Sequence, residues 1–457
     1  MPSTLRIKPE DVDTSEKRAR YTITVTGCGQ TGVSYSCLLA DAGFKVVCAD
    51  ADQNLANLMA KGKAPFAPHE TETKLRNHIK TGRLTATNDV KTAVSQSSII
   101  IINTPTDIDQ KRKPDYSNIE KTCKLVGAGI RQDTLIIVTS IVGTGIIEGT
   151  LREILENASG FKIGVDLGLA YCPNRSSLGQ TPETRPDREQ IVAASDRNSL
   201  SAASTVLETI SKSGTRKTFS VKAAETAVLF EATQHAVNSA LGNEFAIFCE
   251  RAGLDYLEAK RLLETNEPTS TSSSAPAERN IEDASLILLE DAENLNTKLR
   301  TVAVAMETND DMAKHVANLA RDALRDCGKT LKRARISLLG ISQTPNMKSP
   351  PKKLAKKLAK IMEARGAKIS VYDPYFSNDV KDGQSHFKKG LAETLEGANC
   401  IVLITPHDQF KRLSLKKLKV LMKMPAAIID LEGVFEPDKI EKEGFAYRGL
   451  GRGIGSK

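Results

Sequence analysis

The chain has 457 residues, a formal net charge of +8 and 40% hydrophobic residues. That length suits two or three soluble domains, and no apolar run reaches the roughly 18 residues that a membrane helix needs. The N-terminus is polar and charged (Arg6, Lys8, Glu10, Asp11, Asp13) with no apolar signal core, which points to the cytoplasm. Eight cysteines and six histidines are dispersed. None forms a C-x-x-C or zinc spacing, so the cysteines read as free thiols in a reducing compartment and no metal site is expected.

Residues 1–20 read as a flexible tail. Tyr21–Thr26 reads as a strand running into Gly27-Cys-Gly-Gln-Thr-Gly32. In such a turn Gly27 allows a tight bend and Gly29 lets the backbone approach a pyrophosphate. Gly32 lets the next helix pack close to the strand. The helix N-terminus then points N–H groups at the phosphates. Helical periodicity follows through Val33, Leu38, Leu39 and Ala42 and stops at Gly43. Lys45–Ala49 reads as a second strand ending at Asp50, where an acidic side chain holds a ribose 2′-hydroxyl and favours NAD over NADP. The competing reading is a glycine turn that binds nothing.

Further apolar runs are Ser98–Ile102, Thr134–Thr139, Leu167–Tyr171 and Gln190–Ala194. Separated by helical stretches, they predict an α/β domain over 21–200, a Rossmann-type doubly wound parallel sheet. Thr104 and Ser140 fall at strand C-terminal ends, where ligands bind in this architecture. The expected NAD-binding residues are therefore Gly27, Gly29, Gln30, Thr31, Gly32, Asp50, Thr104 and Ser140.

Residues 201–330 predict a central helical domain. An unbroken helix is expected over Ser220–Arg251, long enough to link domains and form a dimer seam. A second helix is expected over about Leu257–Glu264, then a mobile serine-rich loop near 268–280. Helical periodicity resumes from about Glu282 through Arg325. Residues 331–457 predict a C-terminal Rossmann-like α/β domain, with strands in Arg335–Gly340, Lys368–Tyr372, Cys400–Ile404 and Ala427–Asp430 and a glycine-rich tail over Tyr447–Gly453. Lys352, Lys353, Lys356, Lys357 and Lys360 line one helix opposite Leu354, Leu358 and Ile361. A solvated lysine face accounts for that pattern, with attraction of an anionic ligand as the alternative. The absence of interleaved aromatic residues argues against a nucleic-acid site.

Taken in order, these stretches resemble the UDP-glucose/GDP-mannose dehydrogenase family over roughly residues 20–455. The matching residues are Gly27–Gly32, Gly82-Arg-Leu84 with Thr87 and Asp89, Thr104-Pro105, Leu169–Pro173 with Arg175, Ala224-Glu225, Asn243-Glu244, Cys249-Glu250, Tyr372-Asp-Pro374 and Gly449–Gly453. The resemblance implies an NAD-binding domain, a central dimerising domain and a C-terminal domain for a UDP- or GDP-linked sugar. It implies oxidation of a sugar C6 alcohol to a carboxylate with two NAD⁺, through a cysteine thiohemiacetal and a thioester.

The match fails at the reacting centre. The family's nucleophile lies in a G-G-H-C-x-P-x-D-P loop. Here, with Asp283 taking the family aspartate's place, Arg279 stands at the cysteine position, and no cysteine lies between Cys249 and Cys327. The family's A-E-x-x-K-x-x-x-N reads with Val228 at the lysine and Ala232 at the asparagine. Neither side chain can donate a hydrogen bond or relay a proton. Asn174 replaces the glutamate of P-E-R, Ile141 the threonine of S-T-V-P-P-G, and Glu432 the arginine of D-x-R-N. The K-P-N-T-D-D stretch is shortened to Thr344–Pro350. The expectation is an NAD-binding, catalytically degenerate relative with a structural or regulatory role in nucleotide-sugar or polysaccharide metabolism, acting as a homodimer or with a paralogue. The alternative is an oxidoreductase with altered, two-electron chemistry. His235, two turns beyond Val228, is the candidate base for it, and Cys172 the candidate nucleophile.

Overall fold

The computed structural model describes residues 7–175, 189–263, 279–376 and 387–452. The chain divides into two compact units, Met1–Ala232 with Asp283–Lys298, and Thr233–Glu282 with Leu299–Lys457.

The first unit is built on an eight-stranded sheet. Its strands are β1 (Thr22–Thr26), β2 (Lys45–Ala49), β3 (Leu84–Thr87) and β4 (Ile99–Ile102), then, after a small hairpin of β5 (Asp107–Ile108) and β6 (Pro114–Asp115), β7 (Leu135–Val138), β8 (Gly168–Tyr171), β9 (Gln190–Ala193) and β10 (Thr215–Thr218). The order is β10-β9-β8-β7-β4-β1-β2-β3. All pairings are parallel except β8 with β9, which meet antiparallel at Tyr171 and Ala193. β4 is four consecutive isoleucines, every one fully buried, as a strand covered on both faces requires. The chain order reverses between β1 and β4, so the loop after β1 opens at the topological switch point. The helix Gln30–Ala42 returns across β1 and ends at Gly43, whose φ of 112° supplies the left-handed cap.

Several expectations need correction here. β3 and β10 carry alternating or polar sequences rather than apolar runs, so periodicity alone passes over them. Residues 7–20 are folded, not loose. Ile7 and Val12 are buried in the sheet's core, and the Arg18 guanidinium donates to the carbonyl of Ala42 at 2.7 Å. The cysteines are not all free thiols: Cys28 and Cys48 are bridged, with Cα atoms 6.1 Å apart, while the other six are free and buried.

A long helix runs over Val221–Ala252, and Tyr256–Leu263 forms the next. The serine-rich stretch expected as a loop near 268–280 falls largely outside the described residues, which resume at Arg279. The helical run expected from Glu282 to Arg325 is two helices, Arg279–Asn294 and Arg300–Asp326. They are separated where Asn296 adopts a left-handed φ of 55°, a conformation that asparagine tolerates better than most residues.

The second unit carries a parallel five-stranded sheet of β11 (Arg335–Leu339), β12 (Lys368–Tyr372), β13 (Cys400–Leu403), β14 (Ala427–Asp430) and β15 (Ala446–Gly449), in the order β12-β11-β13-β14-β15. The start of the expected glycine-rich tail is thus the edge strand β15. The helix Arg300–Asp326 lays Ala313, Val316, Ala317, Ala320 and Leu324 into the core on one side of this sheet, small side chains that let helix and sheet approach closely. Lys352 does not join the solvated lysine face. It precedes the helix Lys353–Ala364, and its buried ammonium donates to the Ile404 carbonyl at 3.1 Å and to Glu432 at 3.2 Å. Among the described residues no helix is long and apolar enough to cross a membrane.

Candidate functional site

The turn after β1 is organised by its glycines in three different ways. Gly27 has φ 83°, and a Cβ there would sit 2.6 Å from the Asn103 carbonyl oxygen at the end of β4. At Gly32 a Cβ would fall 2.0 Å from the Gly27 carbonyl oxygen, so that glycine sets how closely helix and strand approach. Gly29 is the opposite case, because a Cβ there would meet nothing within 4 Å. It is the N-cap of the helix Gln30–Ala42, and no side chain caps that end. A helix N-terminus with no side-chain cap, beside open space at a switch point, is what a pyrophosphate requires.

Asp50 follows β2 and is half-buried. Its Oδ2 accepts the Cys28 N–H at 2.7 Å and its Oδ1 accepts the Asp52 N–H at 2.9 Å. The carboxylate is thereby fixed beside the turn and keeps lone pairs for a ribose hydroxyl. Thr31 Oγ1 accepts from Asn174 Nδ2 at 3.2 Å, and the Asn174 N–H is held by the Thr139 carbonyl at 2.9 Å. The asparagine in the glutamate's place therefore lies against the glycine turn. Thr104 Oγ1 donates to Thr122 Oγ1 at 3.0 Å. Ser140 is buried, and its Oγ has no partner among the described residues. The open space at Gly29, the fixed Asp50 and the orphaned Ser140 hydroxyl fit a bound dinucleotide. When bound, NAD would supply hydride chemistry, and Gly29, Asp50 and Ser140 would hold it.

The positions that the resemblance leads one to expect as catalytic look different. Val228 is 3% exposed and Ala232 half-buried on the same helix, so neither a cation nor an amide is presented there. Arg279 is the first residue of the helix Arg279–Asn294. Ile141 contributes its backbone carbonyl, which accepts from Thr106 Oγ1 at 2.6 Å. Cys172 is fully buried, and burial pushes its thiol up to about 12, which removes it as a nucleophile at neutral pH. His235 is half-buried on the long helix in the second unit.

Sequence reasoning missed a cluster around the loop after β7. The fully buried Glu225 accepts from the N–H of Gly145 at 2.6 Å and of Ile147 at 2.9 Å. Asp291 accepts from the Thr144 N–H at 2.8 Å, and Tyr116 Oη from the Gly143 N–H at 3.0 Å. Burial pushes Glu225 up to about 7 even though these N–H bonds favour the charged form. Three of the loop's amides are thus satisfied by the protein's own carboxylates and a fourth by the Tyr116 hydroxyl. The paired Ala224-Glu225 was visible in the sequence, but its partner loop was not.

In the second unit the Thr344–Pro350 stretch folds on itself, with Ser349 Oγ accepting the Thr344 N–H at 2.9 Å. Glu432, in the arginine's place, is neutralised by Lys352.

Comparison with known proteins agrees with this geometry. Residues 21–211 match the NAD binding domain of the UDP-glucose/GDP-mannose dehydrogenase family, and residues 338–437 match its UDP binding domain. The chain is 26% identical over 434 residues to the UDP-N-acetyl-D-mannosamine dehydrogenase of Pyrococcus horikoshii, covering 94% of this chain and 99% of that one. It is 24% identical over 454 residues to the UDP-glucose 6-dehydrogenase of Rhizobium meliloti, covering 94% and 99%. The solved structure of the Pyrococcus horikoshii UDP-D-ManNAc dehydrogenase superposes with a TM-score of 0.83 over 94% of this chain and 99% of that one, at 24% identity, a likeness of fold. Two of the family's domains, in order, span well over half of the sequence, and the NAD binding domain holds the open turn at Gly29: the chain belongs to the UDP-glucose/GDP-mannose dehydrogenase family.

Proposed function

We propose that this protein binds NAD but has lost the family's four-electron sugar oxidation, and that it serves a structural or regulatory role in nucleotide-sugar metabolism. The observation that carries this reading is the buried Val228 at the lysine position, in a chain with no cysteine between Cys249 and Cys327. Without a thiol the intermediate aldehyde has no route to the tetrahedral adduct that yields a second hydride. Without the lysine, the nascent alkoxide has neither a proton acceptor nor a cationic partner there.

A nucleotide sugar remains the expected ligand class of the UDP binding domain, with weakened affinity. Glu432 places a carboxylate where the family carries an arginine, and its partner Lys352 is spent on neutralising it. Self-association through the long helix is part of the proposal. Leu241, Phe245 and Phe248 are exposed along that helix at spacings that place them on one face.

The second reading is a two-electron oxidoreductase. It is favoured by the retained dinucleotide site, because single hydride transfer needs no thiol. NADH formed per mole of sugar across a panel of UDP- and GDP-sugars separates the two. No NADH, with NAD binding retained, supports the first reading, and one per sugar supports the second. Two per sugar would sink both.

A further inference from the structure

We propose that Cys28 and Cys48 form a reversible bridge that positions Asp50 for the cofactor's ribose, so that dinucleotide affinity follows the redox state of the pair. This rests on the NAD site described above.

Cys28 is the residue between Gly27 and Gly29, at the centre of the turn. Its N–H holds Asp50 at 2.7 Å, and its sulfur is bonded to Cys48 across a Cα separation of 6.1 Å, within the span that disulfides bridge. Cys48 and Asp50 are two residues apart along the same extended segment, so their side chains project to the same side. One residue of the turn is therefore tied to that segment by two side-by-side tethers, one covalent and one charge-assisted. Both cysteines are fully buried in the core beneath the turn.

The two ends of the bridge are unequally held. β2 is fixed on both sides by parallel ladders to β1 and β3, with Cys48 opposite Val25 and Ala86. The turn is open on its outer side at Gly29. Reduction adds two electrons and two protons and removes the covalent tether, leaving the turn held to this segment by the Cys28 N–H bond to Asp50. Without the tether Cys28 can shift toward the open side at Gly29, drawing its N–H away from Asp50. Cys28 and Cys48 are thus positioning residues for the dinucleotide.

The exchange balances with a low-molecular-weight thiol as reductant. When the turn opens and exposes the bridge, the reductant's thiolate attacks one sulfur to give a mixed disulfide. A second thiolate then displaces the protein sulfur, leaving two protein thiols and one disulfide of the reductant. Linkage makes the effect reciprocal: if the bridged form binds NAD more tightly by some factor, saturating NAD protects the bridge from reduction by that same factor.

The test uses the full-length protein, titrated calorimetrically with NAD in oxidised glutathione and in dithiothreitol. The bridge is followed by peptide mass and the fold by circular dichroism. Reduction is expected to weaken NAD binding roughly three- to tenfold, the scale of one ordinary hydrogen bond, because the Cys28 N–H bond to Asp50 is loosened rather than lost. C48A is expected to show the weaker affinity in both buffers, and saturating NAD to raise the dithiothreitol midpoint by the same factor. Equal affinity in the two buffers with the bridge verified would overturn the proposal. So would the absence of a Cys28–Cys48 peptide under oxidising conditions, or unfolding on reduction, which would make the bridge a structural staple. No NAD binding in either buffer would instead overturn the cofactor reading.

Discussion

The two units carry the same corner built to opposite ends. Gly27-Cys-Gly-Gln-Thr-Gly32 follows β1, and Gly340-Ile-Ser-Gln-Thr-Pro345 follows β11. Both open on a glycine with positive φ, 83° and 73°, packed against the carbonyl of a residue just past the neighbouring strand, Asn103 after β4 and Thr405 after β13. Both face an aspartate that follows the strand on the other side, Asp50 or Asp373. The difference is at the third and sixth positions. Gly29 leaves open space, whereas the fully buried Ser342 donates its hydroxyl to Asp373 at 2.7 Å. Gly32 lies in the first turn of a helix, whereas Pro345 continues a loop until Lys353. Asp50 stays half-buried. Asp373 is sealed, accepting from Ile341 N–H, Ser342 N–H, Ser342 Oγ and His407 Nε2 at 2.7–3.1 Å. Two positions thus separate an open turn from a hydrogen-bonded corner.

Breaking the glycines should show this most strongly. Gly32→Val forces a side chain onto the Gly27 carbonyl and is expected to cost more than about 4 kcal/mol, seen as loss of soluble folded protein. Gly29→Val projects into open space. Its melting temperature should stay near that of the parent while calorimetric NAD binding disappears. Asp373→Ala leaves buried donors unpaired and is expected to destabilise by about 3–5 kcal/mol in denaturant unfolding. The matching Asp50→Ala should change stability by about 1 kcal/mol or less and weaken NAD roughly tenfold.

The acidic groups sharpen the comparison further, through pH. Burial raises Glu225 from 4.5 to about 7. The folded first unit therefore binds that proton more tightly than the unfolded chain does. Its contribution is full below about 4.5 and is lost as pH rises to about 7. Glu225→Gln should flatten that slope. Burial pushes Asp373 up as well, but hydrogen bonds from His407 and Ser342 outweigh it and hold the carboxyl below its usual 3.8. Its contribution to the second unit is present above 3.8 and is lost as pH falls through the lower folded value. Unfolding of the two units followed against pH should show opposite slopes.

Much of this was legible in the residues. The glycine spacing, the run of isoleucines in β4 and Asp50 two residues past Cys48 place the dinucleotide turn without coordinates. The polar β3 and β10 were not legible, because their pairing comes from the neighbours rather than from their own pattern. β15 hid behind its glycines. Lys352 looked solvated because its helical neighbours are, and only the fold brings Glu432 to it. The Cys28–Cys48 bridge was invisible because the spacing of two cysteines says nothing about adjacent strands until the ladder is known. The Gly340–Pro345 corner shows the limit of motif reading: with the first, fourth and fifth residues shared, it builds a closed corner.

The most direct test of the open-versus-sealed contrast is calorimetric titration of the full-length chain with NAD, in the parent and in Gly29→Val. The contrast predicts one NAD per chain in the parent and none in the variant, with both proteins folded. Two per chain, or binding that survives Gly29→Val, would contradict it.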